Sequence, residues 1–254
     1  MPNTRSISVL NFKGGVGKTS TTLSIGDELR RRGHKVIIAD LDRQRNASSI
    51  IPPDMEIGAT LKEVLTEEAS VAEALYEVRP GLFIIPSHTD LEKAARYLVV
   101  NGSPKTLKRL KYGLEKQDAD FILFDHSPSY NAITDAALLA SDEMLIPVLL
   151  EPFSIEGLLD MIEKLSGVLN NLEHEVQTSG IIPNNIDNTM SMTPLYLQSL
   201  RESFNGLVLT PVRTDAQVKR AQSVHQFIHE YNSKAKAAED FKAIVDQLLK
   251  GSAK

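Results

Sequence analysis

Near the N-terminus, the stretch Asn11-Phe-Lys-Gly-Gly-Val-Gly-Lys-Thr-Ser20 brings together glycines, lysines and hydroxyls in an order suited to holding an anion. Glycines at 14, 15 and 17 let backbone N–H groups turn inward with no Cβ in the way, and a helix opening at Lys18 adds the partial positive charge of its N-terminus. In such a loop Lys18 reaches the β and γ oxygens of a polyphosphate and the Thr19 hydroxyl ligates Mg²⁺. The expected cofactor-binding set is therefore Gly14, Gly15, Val16, Gly17, Lys18, Thr19 and Ser20. The opening departs from the usual G-x-x-x-x-G-K-[ST] order: Phe12 stands at its first glycine position, and Lys13 supplies a second cation whose use the simple pattern leaves unexplained.

Two later segments add carboxylates. Asp40-Leu-Asp-Arg-Gln-Arg-Asn-Ala-Ser48 follows one apolar run, and Phe121-Ile-Leu-Phe-Asp-His-Ser-Pro-Ser129 carries Asp125 at the end of another. Phosphoryl transfer needs an oriented water and control of charge more than covalent help, so acids at strand ends suit it. Asp125-His126-Ser127 contains the residue types of a hydrolytic triad, but adjacent residues at a strand end point in different directions and cannot line up as nucleophile, base and orienter.

These groups must be positioned by elements that the hydrophobic pattern reveals. Short apolar runs at 7–10, 35–39, 82–85, 120–124, 144–148, 180–182 and 207–209 alternate with longer helical patterns. Runs apolar at nearly every position belong to strands covered on both faces. The expected fold is α/β: a single doubly wound, mainly parallel β-sheet flanked by helices, the P-loop NTPase fold, with residues 1–254 forming one domain. Helix starts are expected at about Lys18 and after Thr60, Ser70-x-x-Glu73, Thr89-x-x-Glu92 and Ser154. Pro52-Pro53 with Gly58, and Asn101-Gly-Ser-Pro104, mark surface excursions. The last element, Phe241 to Leu249, has apolar residues at helical spacing, as a stripe docked on the core does.

With Lys13 included, the pattern K-G-G-x-G-K-[ST] resembles the variant phosphate-binding loop of the ParA/MinD family of dimeric ATPases. The resemblance implies ATP and Mg²⁺ as cofactors and a homodimer formed on ATP binding, in which Lys13 reaches the partner's nucleotide. A cation delivered in trans can neutralise charge on the transferred phosphoryl group only when two subunits meet. By the same resemblance, the segment from Asp40 to Ser48 is similar to the first switch, with Asp42 positioning or deprotonating the attacking water and Asp40 standing one layer back from the metal. Arg43 and Arg45 replace its usual proline and glycine. The segment from Phe121 to Ser129 is similar to the Walker B strand and second switch, with Asp125 holding the metal through water and Pro128 shaping the loop. Lys13, Lys18 and Asp42 are thus the expected catalytic residues, and Thr19, Asp40 and Asp125 the metal set. Glu151-Pro-Phe-Ser-Ile-Glu-Gly-Leu158 resembles the approach to a dimer-facing helix. Asn184, in Ile181-Ile-Pro-Asn-Asn-Ile-Asp187, lies where the family places an asparagine near the base, and Pro211, Arg213 and Asp215 lie in a loop like the one closing its other side. The run Asn-Asn-Ile-Asp lacks the lysine of the guanine signature, which favours adenine.

Composition narrows what the switch could drive. The chain has no cysteine, which excludes disulfides and the iron–sulfur ligation used by some proteins of this fold. Its tail lacks the tyrosines of the related kinases. No long apolar run or signal sequence is apparent, so a cytoplasmic location is expected, without stable membrane association. The net charge of −5 is unevenly spread: residues 1–46 carry nine Lys/Arg against four Asp/Glu, and residues 117–209 carry two against fourteen. Such asymmetry allows a basic face on an acidic protein, as non-specific phosphate contact requires. The resemblance then implies a ParA/Soj-type partition ATPase that binds non-specific DNA as a dimer, is nucleoid-associated, and is stimulated by a ParB-like adaptor protein. Lys219, Arg220, Lys234, Lys236 and Lys242 are the first DNA-contact candidates, with Lys105-x-x-Lys-Arg-x-Lys111 second. The alternative is a MinD-like membrane-surface ATPase regulating division-site placement.

Overall fold

The apolar runs are buried on both faces, as β2 illustrates: Val36-Ile-Ile-Ala-Asp40 has no accessible position. Val36 and Ile38 enter one core cluster, while Ile37 and Ala39 enter the other. The period of two is present, but apolar residues occupy both phases because each face of the sheet is covered by helices.

The computed structural model describes residues 4–151, 154–186 and 192–251. Among these, the strands are β1 Arg5–Val9, β2 Val36–Asp40, β3 Tyr76–Arg79, β4 Leu82–Ile85, β5 Phe121–Asp125, β6 Glu143–Leu149 and β7 Gln177–Asn184. They form one sheet in the order β3-β4-β2-β5-β1-β6-β7, parallel throughout except between β3 and β4. The helices are α1 Lys18–Arg31, α2 Leu61–Leu65, α3 Leu91–Asn101, α4 Pro104–Leu107, α5 Arg109–Leu114, α6 Ala132–Leu138, α7 Ser154–Asn171, α8 Thr193–Ser203, α9 Ala216–Ser223, α10 Ile228–Tyr231 and α11 Lys236–Gly251. Helices α1 and α11 cover one face through Leu23, Ile25, Leu29, Phe241, Ile244, Val245 and Leu248. On the other face, α7 covers the β6–β7 side through Leu158, Met161, Leu165 and Leu169.

Several local expectations are corrected. The run 207–209 is not a strand of the sheet. It makes one bridge, Val208 to Ile181, with Ile181 N donating to Leu207 O at 2.8 Å and Leu209 N to Ile181 O at 2.9 Å. Gly206, in a left-handed conformation, and Pro211 bound it too closely for a longer ladder. Thr60 caps α2 with a reciprocal box to Glu63. Ser70 and Glu73 make the same bonds, but the chain turns over 71–74 and enters β3 instead of a helix. Helix α3 starts from Asp90 rather than Thr89. The antiparallel edge β3, joined to β4 through Pro80-Gly81, is absent from the expected set because Tyr76-Glu-Val-Arg is half polar.

Helix α11 is docked, as its stripe predicts: Phe241, Ile244, Val245 and Leu248 are 1%, 0%, 0% and 5% exposed. Arg32, at the end of α1, ties the two helices together by donating to Asp246 at 2.7 Å and to the Lys242 carbonyl at 3.1 Å. Pro152, Phe153 and Asp187, along with the tail from Ser252, fall outside the described residues, as does the side chain of the expected cap Ser154.

Candidate nucleotide site

Parallel strands deliver their C-terminal ends to one edge of the sheet, and the chemistry collects there. The register pairs Asp40, at the end of β2, with Asp125, at the end of β5; Val9, at the end of β1, flanks Asp125 on its other side. The glycine loop leaves β1 and enters α1 with Gly15 and Gly17 at φ 75° and 88°. Gly17 has a second reason to lack a side chain: a Cβ there would come 2.0 Å from the Asn184 amide nitrogen. That amide donates to Val16 O at 2.9 Å, so Asn184 supports the loop from below. Helix α1 has no side-chain cap, which leaves its first N–H groups for another acceptor.

The Lys18 ammonium is drawn back under the loop, donating to Asn11 O at 2.9 Å and Lys13 O at 3.1 Å. Burial pulls its pKa down, with Asp125 and Asp42 acting against the shift. Thr19 donates its hydroxyl proton to Asp125 Oδ2 at 2.8 Å, and Thr22 lies 3.2 Å from the other oxygen. Asp40 accepts from Asp42 N at 3.0 Å and from Ser48 N and Oγ at 2.8 and 2.7 Å, which anchors both ends of the first switch to β2. Asp40 and Asp125 are fully buried, and burial pushes both carboxyls above their ordinary range; for Asp125 the charge of Asp40 adds to the effect.

Gly14, Gly15, Gly17, Lys18, Thr19, Ser20 and Asp42 line a single cleft of about 640 Å³. Val16 is buried and faces a separate cavity beside α7. Lys13 lines that second cavity rather than the cleft, and its ammonium pairs with Glu151 of its own chain. Pro211, Arg213 and Asp215 are outside the cleft lining. The Arg213 guanidinium is committed to Asp240 and Glu239 on α11, while the Asp215 carboxylate caps α9 through Gln217 N at 3.0 Å.

The DNA-contact candidates Lys219, Arg220, Lys234, Lys236 and Lys242 are all exposed, and of these Lys219 also lines the cleft. In the second basic stretch, Arg109 donates to the carbonyls of Val64 and Ala69, and the side chain of Lys105 lies outside the described set. The His126 ring is bonded to Ser8 at 2.8 Å, not to Ser127, whose hydroxyl donates to Ser129 O; the arrangement is no triad.

Other residues complete the site without having been singled out from sequence. Asn11 accepts from Lys13 N at 2.9 Å and donates to Pro147 O at 2.9 Å, fastening the loop to β6. Phe12 meets Tyr130 edge-on with ring centroids 6.0 Å apart, joining the loop to the second switch. Asn46, Ser49, Gln222 and Ser223 also line the cleft. Asn11, as an asparagine directly after a strand, is a recognisable turn signal. Gln222 and Ser223, some two hundred residues downstream, offer none.

A parallel sheet whose first strand feeds a glycine loop into a helix, with acids on the neighbouring strand ends, defines the P-loop NTPase fold. A family model described as an AAA domain matches residues 4–178. The chromosome partitioning protein ParA of Caulobacter vibrioides is 27% identical over 256 residues, covering 96% of this chain and 94% of that one. The sporulation initiation inhibitor protein Soj of Bacillus subtilis is 29% identical over 238 residues, covering 92% and 93%. An ATP complex of a Cyanothece McdA variant shares the fold with a TM-score of 0.84 at 21% identity, covering 99% of this chain and 97% of that one. The chain belongs to this AAA-domain family and is an ATPase of the ParA/MinD type.

Proposed function

We propose that the protein binds ATP with Mg²⁺ in the cleft, dimerises across it, holds DNA non-specifically as a dimer, and drives the partition or positioning of a cargo. A ParB-like adaptor would accelerate hydrolysis and end the cycle. The observation that carries this reading is the position of Lys13. Its side chain is 56% exposed and outside the lining of its own cleft, held by an exposed ion pair to Glu151 that a second subunit could replace. The chromosome-partitioning role of the related ParA protein agrees with it, as does the ATP bound by the McdA variant.

The donor set suits Mg²⁺. Among the described residues no group of three or more His, Asp or Glu side chains could cage a metal alone. A hydroxyl at Thr19 backed by buried Asp125 instead offers one ligand and a water-holding carboxylate, leaving the remaining positions to phosphate oxygens and water. Bound there, Mg²⁺ would offset charge on the phosphates. Asp42, which lines the cleft, would orient the attacking water. Lys18 would exchange its two carbonyl partners for phosphate oxygens.

The test measures nucleotide binding, oligomeric state and turnover together. Lys18→Ala is expected to lose productive ATP binding; Asp42→Ala should bind ATP and remain a trapped dimer. Hydrolysis by Asp42→Ala at the normal rate would remove Asp42 from its role. Retention on DNA that requires ATP and weakens with salt supports the DNA reading. Membrane association is the less supported reading, because the apolar stripe of α11 is already buried against the core. No helix among the described residues is long and apolar enough to cross a membrane. Deleting residues from 238 onward would remove core side chains, so liposome binding should be tested on the intact chain.

A further inference from the structure

We propose that Lys219 binds the nucleotide's phosphates in cis and is not a DNA contact. The inference rests on the reading of the cleft as an ATP site. Lys219 lies on α9 and lines the same cleft as Gly14, Gly15, Lys18, Thr19 and Asp42. Gln222 and Ser223, one turn further along the helix, line it as well, so a continuous face of α9 forms part of its wall. Arg220, the next residue in sequence, is exposed like Lys219 but lies outside the lining, as the turn of about 100° per residue on a helix accounts for.

This wall is held in place. Asp215 caps α9, the Asn232 amide donates to the Gln217 side chain at 2.7 Å, and Ala221 is buried against α10 and α11. Gln222 Nε2 donates to Ser20 Oγ at 3.3 Å, and the ring of His225 is bonded to Ser49 O, the residue directly after the first switch. A lysine carried on this helix is therefore fixed at its root beside both the loop and the switch.

The charges in the cleft also favour a phosphate ligand. Its charged lining is Lys18, Asp42 and Lys219. The Lys18 ammonium already has two carbonyl partners, whereas that of Lys219 has no hydrogen-bond or ion-pair partner among the described residues. A polyphosphate carrying three or four negative charges leaves ample demand for a further cation, which a lysine supplies as a mobile point charge.

The experiment titrates the full chain with a fluorescent mant-ATP probe and Mg²⁺, and measures DNA retention in parallel at saturating ATP. Lys219→Ala should weaken mant-ATP binding by roughly fivefold to tenfold, and Lys219→Glu by more. Lys219→Arg should stay within about twofold of the parent, and the deficit of Lys219→Ala should shrink as salt rises. Lys116→Ala, which removes an exposed charge beyond α5, should leave binding unchanged. DNA retention at saturating ATP should survive Lys219→Ala. Unaltered mant-ATP affinity in Lys219→Ala, or loss of DNA retention with normal affinity, overturns the proposal. If the parent itself fails to bind mant-ATP, the ATP reading falls first and this inference with it.

Discussion

The ammonium of Lys13 is paired with the carboxylate of Glu151 in the same chain, with the two side chains 56% and 48% exposed. An ion pair this open contributes at most about 1 kcal/mol, so it holds Lys13 outside its own cleft without opposing the transfer to a partner's nucleotide that we propose. Glu151→Gln should therefore leave the monomer's stability within about 0.5 kcal/mol of the parent. Lys13→Ala is expected to impair ATP-dependent dimerisation and turnover together. Light scattering with a non-hydrolysable ATP analogue checks dimerisation and phosphate release from ATP checks turnover, and a Lys13→Ala dimer of normal affinity would remove the trans role.

Arg45 stands in the first switch at φ 58°, in the left-handed region, and its N–H donates to Asp42 O at 2.8 Å. A non-glycine residue there costs roughly 1–2 kcal/mol, partly offset by the entropy that glycine would lose on folding. Arg45→Gly is expected to be neutral or stabilising by up to about 1 kcal/mol. Arg45→Val should destabilise by about 1–2 kcal/mol, because a β-branched side chain tolerates this conformation worst. Denaturant unfolding of the two variants measures the order, and its reversal would contradict the assigned turn.

Gly17 and Asn184 occupy one space. Gly17→Ala should cost at least about 2 kcal/mol, because it combines a left-handed φ with a collision against a buried amide, and should abolish nucleotide binding. Asn184→Ala removes the bond to Val16 O and should cost about 1 kcal/mol. The double variant should recover the collision but not the φ strain. Additive losses in a double-mutant cycle would disprove the shared space.

His126 is buried in neutral form. Burial lowers the pKa of His126 to about 3, with Lys18 adding, and burial also lowers that of His229, helped by Arg31 and opposed by Glu28. Below about 6.5 the unfolded chain takes up a proton that the folded His126 imidazole refuses, so its contribution is complete above that pH and is lost as pH falls. For His126 the loss reaches about 2 kcal/mol at pH 5. Asp40 and Asp125, whose pKa values burial raises, act in the opposite sense, so the parent's curve alone is not diagnostic. Whatever His126→Asn costs at pH 7, its deficit should narrow by about 2 kcal/mol at pH 5. A deficit independent of pH would show that His126 is not buried uncharged.

What was legible in the amino-acid order is local. Gly14 to Thr19 carry the phosphate loop in consecutive residues, because a tight turn needs glycine wherever backbone must face an anion. The uninterrupted apolar runs around Asp40 and Asp125 name strands covered on both faces, and the stripe through Phe241 names a docked helix. Half-polar β3 and the short run at 207–209 escape or mislead this reading, since strand formation there depends on a neighbour and on flanking Gly206 and Pro211.

Sequence alone thus determined the chemistry of the loop, the carboxylates at the strand ends and the parallel sheet that presents them, all consequences of residue type and spacing. Tertiary structure alone decided which side chains face which space. It turned Lys13 away from its own cleft, lodged Asn184 beneath the loop, committed Arg213 to Asp240, and brought Lys219 to the lining of the cleft while Arg220, one residue on, stayed outside it. Those outcomes depend on the register of the strands and the rotation of each helix, which packing of distant residues sets and no short segment encodes.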